Sequence, residues 1–328
     1  MNKYIFILLS TCSSLTFGQS YAPAAGEPGS TAIEYNNPIF VGWATNVEIE
    51  RGFIDISDTT VYYDGSNKAT FGSPANAIGS ASNITTDCVS LGDSGIAIVT
   101  FDSPIFNGSG PDFAVFENGL SNTFLELGHV EVSSDGINYV RFPSHSETQT
   151  NTPIGSFGML EPTYLHNLAG KYKVGFGTPF DLEELKDSLA LDITHISHVK
   201  IIDVVGALDG SGTMDAYGNK INDPYPTPFA SGGFDLNAVG VIHQYVVGLS
   251  TEEISFNVYP NPSKGIINID FNDKEVKSLS IYNSLGKQVE QISVLNSTET
   301  LIFELPKGVY FIHVQSADKV KSKRIVVQ

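Results

Sequence analysis

The chain has 328 residues, enough for two domains with sizeable cores. It carries 18 Lys+Arg against 36 Asp+Glu, a formal net charge of −18, which argues against nucleic acid or an anionic membrane surface as partner. With 14 Tyr, 20 Phe, 31 Gly, 16 Pro and no long helical periodicity, the composition is that of an all-β protein. The charge is one-sided. Residues 1–248 hold 9 Lys+Arg and 27 Asp+Glu, net −18, whereas residues 249–328 hold 9 of each, net zero. An acidic first domain serves solubility or cation binding in its loops.

Residues 1–18 read as a secretory signal peptide, with Lys3 ahead of an apolar run and small residues before Gln19. The run is too short to span a bilayer. Leu9-Ser-Thr-Cys12 offers a rival lipoprotein reading, against which Thr11 is a poor residue before a lipidated cysteine. After cleavage only Cys88 remains, so no internal disulfide forms, and stability rests on core burial and any bound metal.

The acidic domain spans 19–248. Residues 20–46 are Pro-, Ala- and Gly-rich and lie extended, and the first strand is expected at 47–54. A long irregular connection, 64–94, precedes a strand at 95–101. The stretch Asn107-Gly-Ser-Gly-Pro-Asp-Phe-Ala-Val-Phe-Glu-Asn118 turns and then forms a short strand, 112–118. On it Phe113, Val115 and Glu117 share one face; Asp112, Ala114, Phe116 and Asn118 share the other. Both faces are mostly apolar, so Glu117 is a buried acid in need of a cation, hydrogen bonds or a proton. A hairpin at 130–142 turns on Asp135-Gly136. A strand follows at 171–176, then a helix at 182–188 with Asp181 as cap and Glu184 completing a capping box. In the strand 199–205 Asp203 repeats the anomaly of Glu117. The last strand, 234–245, opens on Gly-Gly-Phe-Asp-Leu-Asn, with Asp235 and Asn237 expected on one face. Short strands, long loops and one small helix predict a jelly-roll-like antiparallel β-sandwich.

The 27-residue loop 206–232 needs a reason for its length. Asp209-x-Ser211-x-Thr213-x-Asp215 has calcium-loop spacing, but Met214 stands where an EF-hand requires Gly. Two readings stay open: a cation site at Asp209, Asp215 and Asp223, or a solvated loop stiffened by proline. The preferred calcium ligands are Glu117, Asp203, Asp235 and Asn237, whose strands are neighbours in many jelly rolls. All are oxygens, which suits calcium better than zinc.

Val89-Ser-Leu-Gly92, the 107–118 stretch, Val130-Glu-Val-Ser-Ser-Asp-Gly136, Asp223-Pro-Tyr-Pro-Thr227 and Ser231-Gly-Gly-Phe-Asp-Leu-Asn-Ala-Val239 cover most of residues 85–242. Together they resemble a family of bacterial cell-surface proteins of mostly undefined activity. Some members look like partners of outer-membrane uptake systems, including those for corrinoids. The family's usual Asp is Asn237 here, which removes one charge from any metal site.

Catalytic constellations are weak. Gly92-Asp-Ser-Gly95 matches the nucleophile tetrapeptide of trypsin-like proteases, but the first histidine is His129, downstream of where a base is needed. His195 and His198 run into a strand, where they face opposite ways. Glu117 with Asp203 is the one acid pair with a glycosidase reading.

After a polar joint at 249–253, residues 254–328 hold seven short segments of period-two pattern, as in a small Ig-like sandwich. Tyr259-Pro260-Asn261-Pro262, Ile281-Tyr-Asn-Ser-Leu-Gly286-Lys287, Leu305-Pro-Lys-Gly308-Val-Tyr310 and Lys323-Arg324-Ile-Val-Val327 resemble the type A sorting domain of type IX secretion substrates over 252–328. Asn283 stands where many members have Asp. The resemblance implies engagement by the type IX machinery at the outer membrane, then release or tethering to surface lipopolysaccharide. The expectation is a secreted or surface binding protein, cation-stabilised. The alternatives are an accessory binder of a corrinoid or glycan for an uptake system, and a hydrolase.

Overall fold

The computed structural model describes residues 21–245, 255–271, 278–293, 300–316 and 319–328. The expected signal peptide and the joint at 249–253 lie outside them. The chain divides at Val246/Val247 into two compact units.

Thirteen strands build the first unit: β1 Ile33–Glu34, β2 Gly42–Trp43, β3 Asn46–Glu50, β4 Val89–Ser90, β5 Ile96–Ile105, β6 Phe113–Glu117, β7 Gly128–Ser133, β8 Val140–Arg141, β9 His145–Ser146, β10 Leu165–His166, β11 Phe176–Phe180, β12 Ile196–Asp203 and β13 Asp235–Val241. One sheet runs β1-β11-β6-β13-β2, with β4 also on β13; the other runs β3-β5-β12-β7-β8. From β5 onward the chain alternates sheets at each main strand, apart from the β7–β8 hairpin. Spatial neighbours such as β6 and β13 are therefore distant in sequence. This antiparallel, sheet-switching wiring is that of a jelly roll, as the strand pattern predicted.

The core lies between the sheets. Phe113, Val115, Leu236, Val239 and Val241 from one meet Val99, Val130, Val132, Val199 and Ile201 from the other, all at most 1% exposed. Each such side chain contributes about 1.5–3 kcal/mol by leaving water. The opposite face of β6 is covered too: Ala114 and Phe116 pack with Ala238, Phe40 and Trp43. The two faces expected of this strand are therefore both interior. A smaller cluster, Leu125, Leu127, Leu160, Leu165, Leu168, Val204 and Ile221, anchors the loops at the end where β6 finishes.

Three local expectations need correction. Residues 171–175 turn rather than extend, with Gly175 at φ +82°, and the strand is the next segment, β11. Gly177 and Pro179 hide it in the sequence. Proline is tolerated because β1 pairs only with Phe176 and Gly177, leaving Pro179 on an unpaired edge. The helix is a 3-10 turn, Leu182–Leu185, capped by Asp181 as expected. Glu184 does not close a capping box, because Asn167 Nδ2 donates to its Oε2 at 2.6 Å.

In the second unit, β14 Phe256–Tyr259, β15 Ile266–Phe271, β16 Ser278–Asn283, β17 Gln288–Ser293, β18 Leu301–Glu304, β19 Gly308–Ser316 and β20 Lys319–Val327 recover all seven expected segments. They form a three-stranded sheet, β14-β15-β18, and a four-stranded sheet, β17-β16-β19-β20. Phe256, Ile267, Ile269, Leu279, Ile281, Ile312 and Ile325 fill the core of this small sandwich.

Candidate functional site

β6 ends at Glu117 beside the start of β13, where Leu236 pairs with Glu117. The pairing brings Asp235 to the same end. The leucines flanking Glu126 are pinned in the cluster beneath the loops, and the connection from β6 to β7 thereby turns Glu126 toward the other two acids. One carboxylate oxygen from each of Glu117, Glu126 and Asp235 lies within 4.8 Å of the others, and all three residues are buried. They are 1%, 9% and 3% exposed. No other group of three acidic, histidine or cysteine ligands at this spacing occurs among the described residues.

The hydrogen bonds do not use up these acids. Gly119 N donates to Glu117 Oε2 at 2.7 Å, but Glu117 Oε1 has no partner. Gly119 is needed for that approach, since a Cβ there would meet the carboxylate at 3.0 Å and the Lys173 backbone at 3.2 Å. Asn118 Nδ2 donates to Asp235 Oδ2 at 2.8 Å, and Asp235 Oδ1 is unpartnered. Arg51 bridges the carbonyls of Phe71, Gly72 and Ser90 and supplies the positive charge that acts on Asp235.

Burial dominates the electrostatics. It lifts Glu117 and Glu126 well above the usual carboxyl range, and the neighbouring Asp235 lifts both further. Burial raises Asp235 to about 7 despite the opposing pull of the Ser90 hydroxyl, Asn118 and Arg51. Asp203 and Asp223 are raised well above normal by burial and then by the acids beside them; Asp93 is pushed up to about 6 by burial. Three carboxylates this close cannot all stay ionised unless a cation joins them. An all-oxygen donor set with unused lone pairs suits a hard divalent ion such as calcium.

The other sequence candidates have different partners. Asp203 Oδ1 accepts from Phe234 N at 2.7 Å and Oδ2 from Ser94 N at 2.9 Å, so it ties the 92–95 turn to the lead-in of β13. Each of its oxygens thus already accepts a backbone N–H, and it is not in the group of three acids that contains Glu117. Asn237 falls at a register shift between Leu236 and Ala238 and bonds Ser82 and the Asp87 carbonyl. The strand alternation that would align it with Asp235 breaks there. Asp209 is satisfied by its own loop through Ser211, and Asp215 takes Ser146, Tyr217 and Asn219. Asp223 is buried with Oδ1 unpartnered, and the acids acting on it are Asp203, Glu117 and Asp93 rather than its loop neighbours. The loop therefore does not gather Asp209, Asp215 and Asp223 into one site.

A cleft of about 300 Å³ opens over the cluster, with Glu126, Asp235 and Asn118 among its walls. Phe71, Phe124, Phe157 and Phe229 line it together with Thr85, Thr86, Ser156, Thr227 and Ser231. Sequence reasoning missed Glu126 and the aromatic residues. The signal for Glu126 was the one that found Glu117, an acid inside an apolar run, Phe124-Leu-Glu-Leu127.

In the second unit the motif residues close turns, pair strands and fill part of the core. Asn261 Oδ1 accepts from Val326 N and its Nδ2 donates to the Arg324 carbonyl, both at 3.0 Å, which joins the Tyr259–Pro262 turn to β20. Lys323 Nζ donates to the Phe256 carbonyl and lies over the Phe256 ring. Tyr310 is buried, with its hydroxyl donating to Pro306 O at 2.9 Å. Gly308 pairs with Val327 across the sheet. Asn283 Oδ1 accepts from Leu285 N and Lys287 N, closing the turn at Gly286.

No curated protein matches the chain. Among solved structures, a β-glucuronidase from Ruminococcus gnavus bound to N1-substituted uronic isofagomine is similar at 11% identity and a TM-score of 0.19, over 71% of this chain and 36% of that one. A biofilm associated protein, BSP domain, is similar at 11% identity and a TM-score of 0.23, over 89% of this chain and 53% of that one. The chain thus spans about a third to a half of these structures, and so loose an overlay transfers no function. No helix among the described residues is long and apolar enough to cross a membrane. Residues 257–328 match the family described as the secretion system C-terminal sorting domain. Within the C-terminal unit, residues 257–328 are therefore a secretion sorting domain, which supports export of the chain by type IX secretion.

Proposed function

We propose that the acidic jelly roll is a ligand-binding domain, delivered to the cell surface or released by the type IX route, whose cleft is organised by calcium at Glu117, Glu126 and Asp235. The observation that carries this reading is a pair of buried, unpartnered carboxylate oxygens, Glu117 Oε1 and Asp235 Oδ1, in a three-acid group beneath an open cleft. Orphaned buried acceptors are costly, and a bound cation removes that cost. On this reading residues 1–18 are cleaved on export and the binding domain faces the medium or the outer leaflet.

Two experiments test it. Calcium at about a hundredfold over its dissociation constant should stabilise the full chain by about 2.7 kcal/mol. That corresponds to roughly 5–10 °C in Tm for a domain of this size. Glu126→Gln should lose the shift while its chelator-treated form melts no lower than wild type. An identical Tm in calcium and chelator for wild type contradicts the site. Deleting residues 257–328 should leave a folded acidic domain inside the cell envelope; normal surface arrival would contradict the delivery half.

A further inference from the structure

Resting on the calcium reading, we propose that the cleft binds a neutral carbohydrate whose adjacent hydroxyls complete the calcium coordination while its ring stacks on a row of aromatic side chains at the rim. The row is continuous. Phe124 and Phe157 lie 6.3 Å apart at 25°, Phe157 and Phe229 5.8 Å apart at 34°, and Phe229 meets Tyr63 at 6.4 Å. Phe157 is 71% exposed, although a solvent-facing Phe in this position supports no core. Flat aromatic faces carry negative charge and attract the polarised C–H groups on one side of a pyranose.

The chemistry of the cleft narrows the occupant. Glu126 and Asp235 in its wall, with Glu117, Asp223 and Asp203 adding to the negative field at Glu126, disfavour any anionic ligand. Calcium takes roughly six to eight oxygens, and three carboxylates furnish between three and six. Vicinal hydroxyls are neutral oxygen pairs that fill the remainder. Thr85 adds a hydroxyl to the same lining, able to donate or accept toward a further sugar oxygen, while the Thr227 hydroxyl already accepts from Gly233 N. A volume of about 300 Å³ sits at the small end of ligand sites, which suits one or two rings with the aromatic row guiding the rest of the chain.

The test is calorimetric titration of the full chain with neutral gluco-, galacto- and manno-configured mono- to tetrasaccharides, in calcium and in chelator. At least one series should bind in calcium and weaken by about tenfold or more in chelator, the loss expected when a ligand-bridging cation is removed. Phe157→Ala should weaken the same saccharide by about tenfold while keeping the calcium-induced Tm shift, which separates stacking from folding and from the cation site. If calcium raises Tm but no saccharide binds, the carbohydrate inference falls and the calcium reading stands. Saccharide binding that survives both chelator and Phe157→Ala also overturns it. With no calcium shift, both readings fail.

Discussion

At one end of β6 Asp112 is wholly buried and every oxygen is used. Gly108 N and His243 Nδ1 meet its Oδ1 at 2.7 Å, and Leu182 N donates to its Oδ2 at 2.7 Å. At the other end Glu117 is equally buried, yet one oxygen has no partner and two more acids crowd it. The same short strand thus carries a carboxylate that fastens loops and a carboxylate that the protein alone leaves unsatisfied. Where a fold needs an acid for structure it supplies donors to both oxygens; where donors are missing, the acid points to something the chain binds.

Substitutions at the two ends should separate these roles. Asp112→Ala strands the buried Leu182 N–H, the half-buried Gly108 N–H and the His243 ring, and should cost about 3–5 kcal/mol by denaturant unfolding. Calcium should stabilise this variant as much as wild type. Gly119→Ala forces the turn against Glu117 and the Lys173 backbone and should cost about 1–3 kcal/mol. Glu117→Gln keeps an acceptor for Gly119 N and cannot ionise. Its metal-free form should unfold within about 1 kcal/mol of wild type or later, whereas calcium no longer helps it.

Acidity gives a finer separation. Asp235 titrates at about 7 in the folded state and Asp93 at about 6, both raised by burial above their unfolded values. From roughly pH 4 upward the folded chain therefore binds more protons than the unfolded one, so metal-free stability should fall as pH rises through 6 and 7. The raised Glu117, Glu126, Asp203 and Asp223 add to the decline in the same direction. Calcium competes with those protons, and in its presence the decline should flatten. A Tm profile in chelator that rises from pH 5 to 7.5 would contradict the assignment.

The alternation of apolar residues made both sandwiches legible, and an acid within an apolar strand exposed Glu117, Asp203 and Asp235. Which of them converge was hidden. Asp203 carries the same sequence signal as Glu117, but only the folded chain brings Ser94 N and Phe234 N onto it. A register shift took Asn237 away from Asp235, and no alternation pattern marks a bulge in advance. Glu126 sits between Leu125 and Leu127 in a loop, where strand periodicity does not apply. The rings lining the cleft come from positions 71, 124, 157 and 229, a set with no spacing to detect.

The central claim, a calcium ion on Glu117, Glu126 and Asp235, is tested most directly by calorimetric titration of calcium into the full chain near pH 6.5 in two buffers of different ionisation enthalpy. The carboxyls are raised by burial, so binding must displace protons. A single saturable calcium per chain is expected, with an apparent heat that differs between the buffers, and both should be lost in Glu126→Gln. No saturable heat, or binding that persists in Glu126→Gln with the same heat in both buffers, would contradict it.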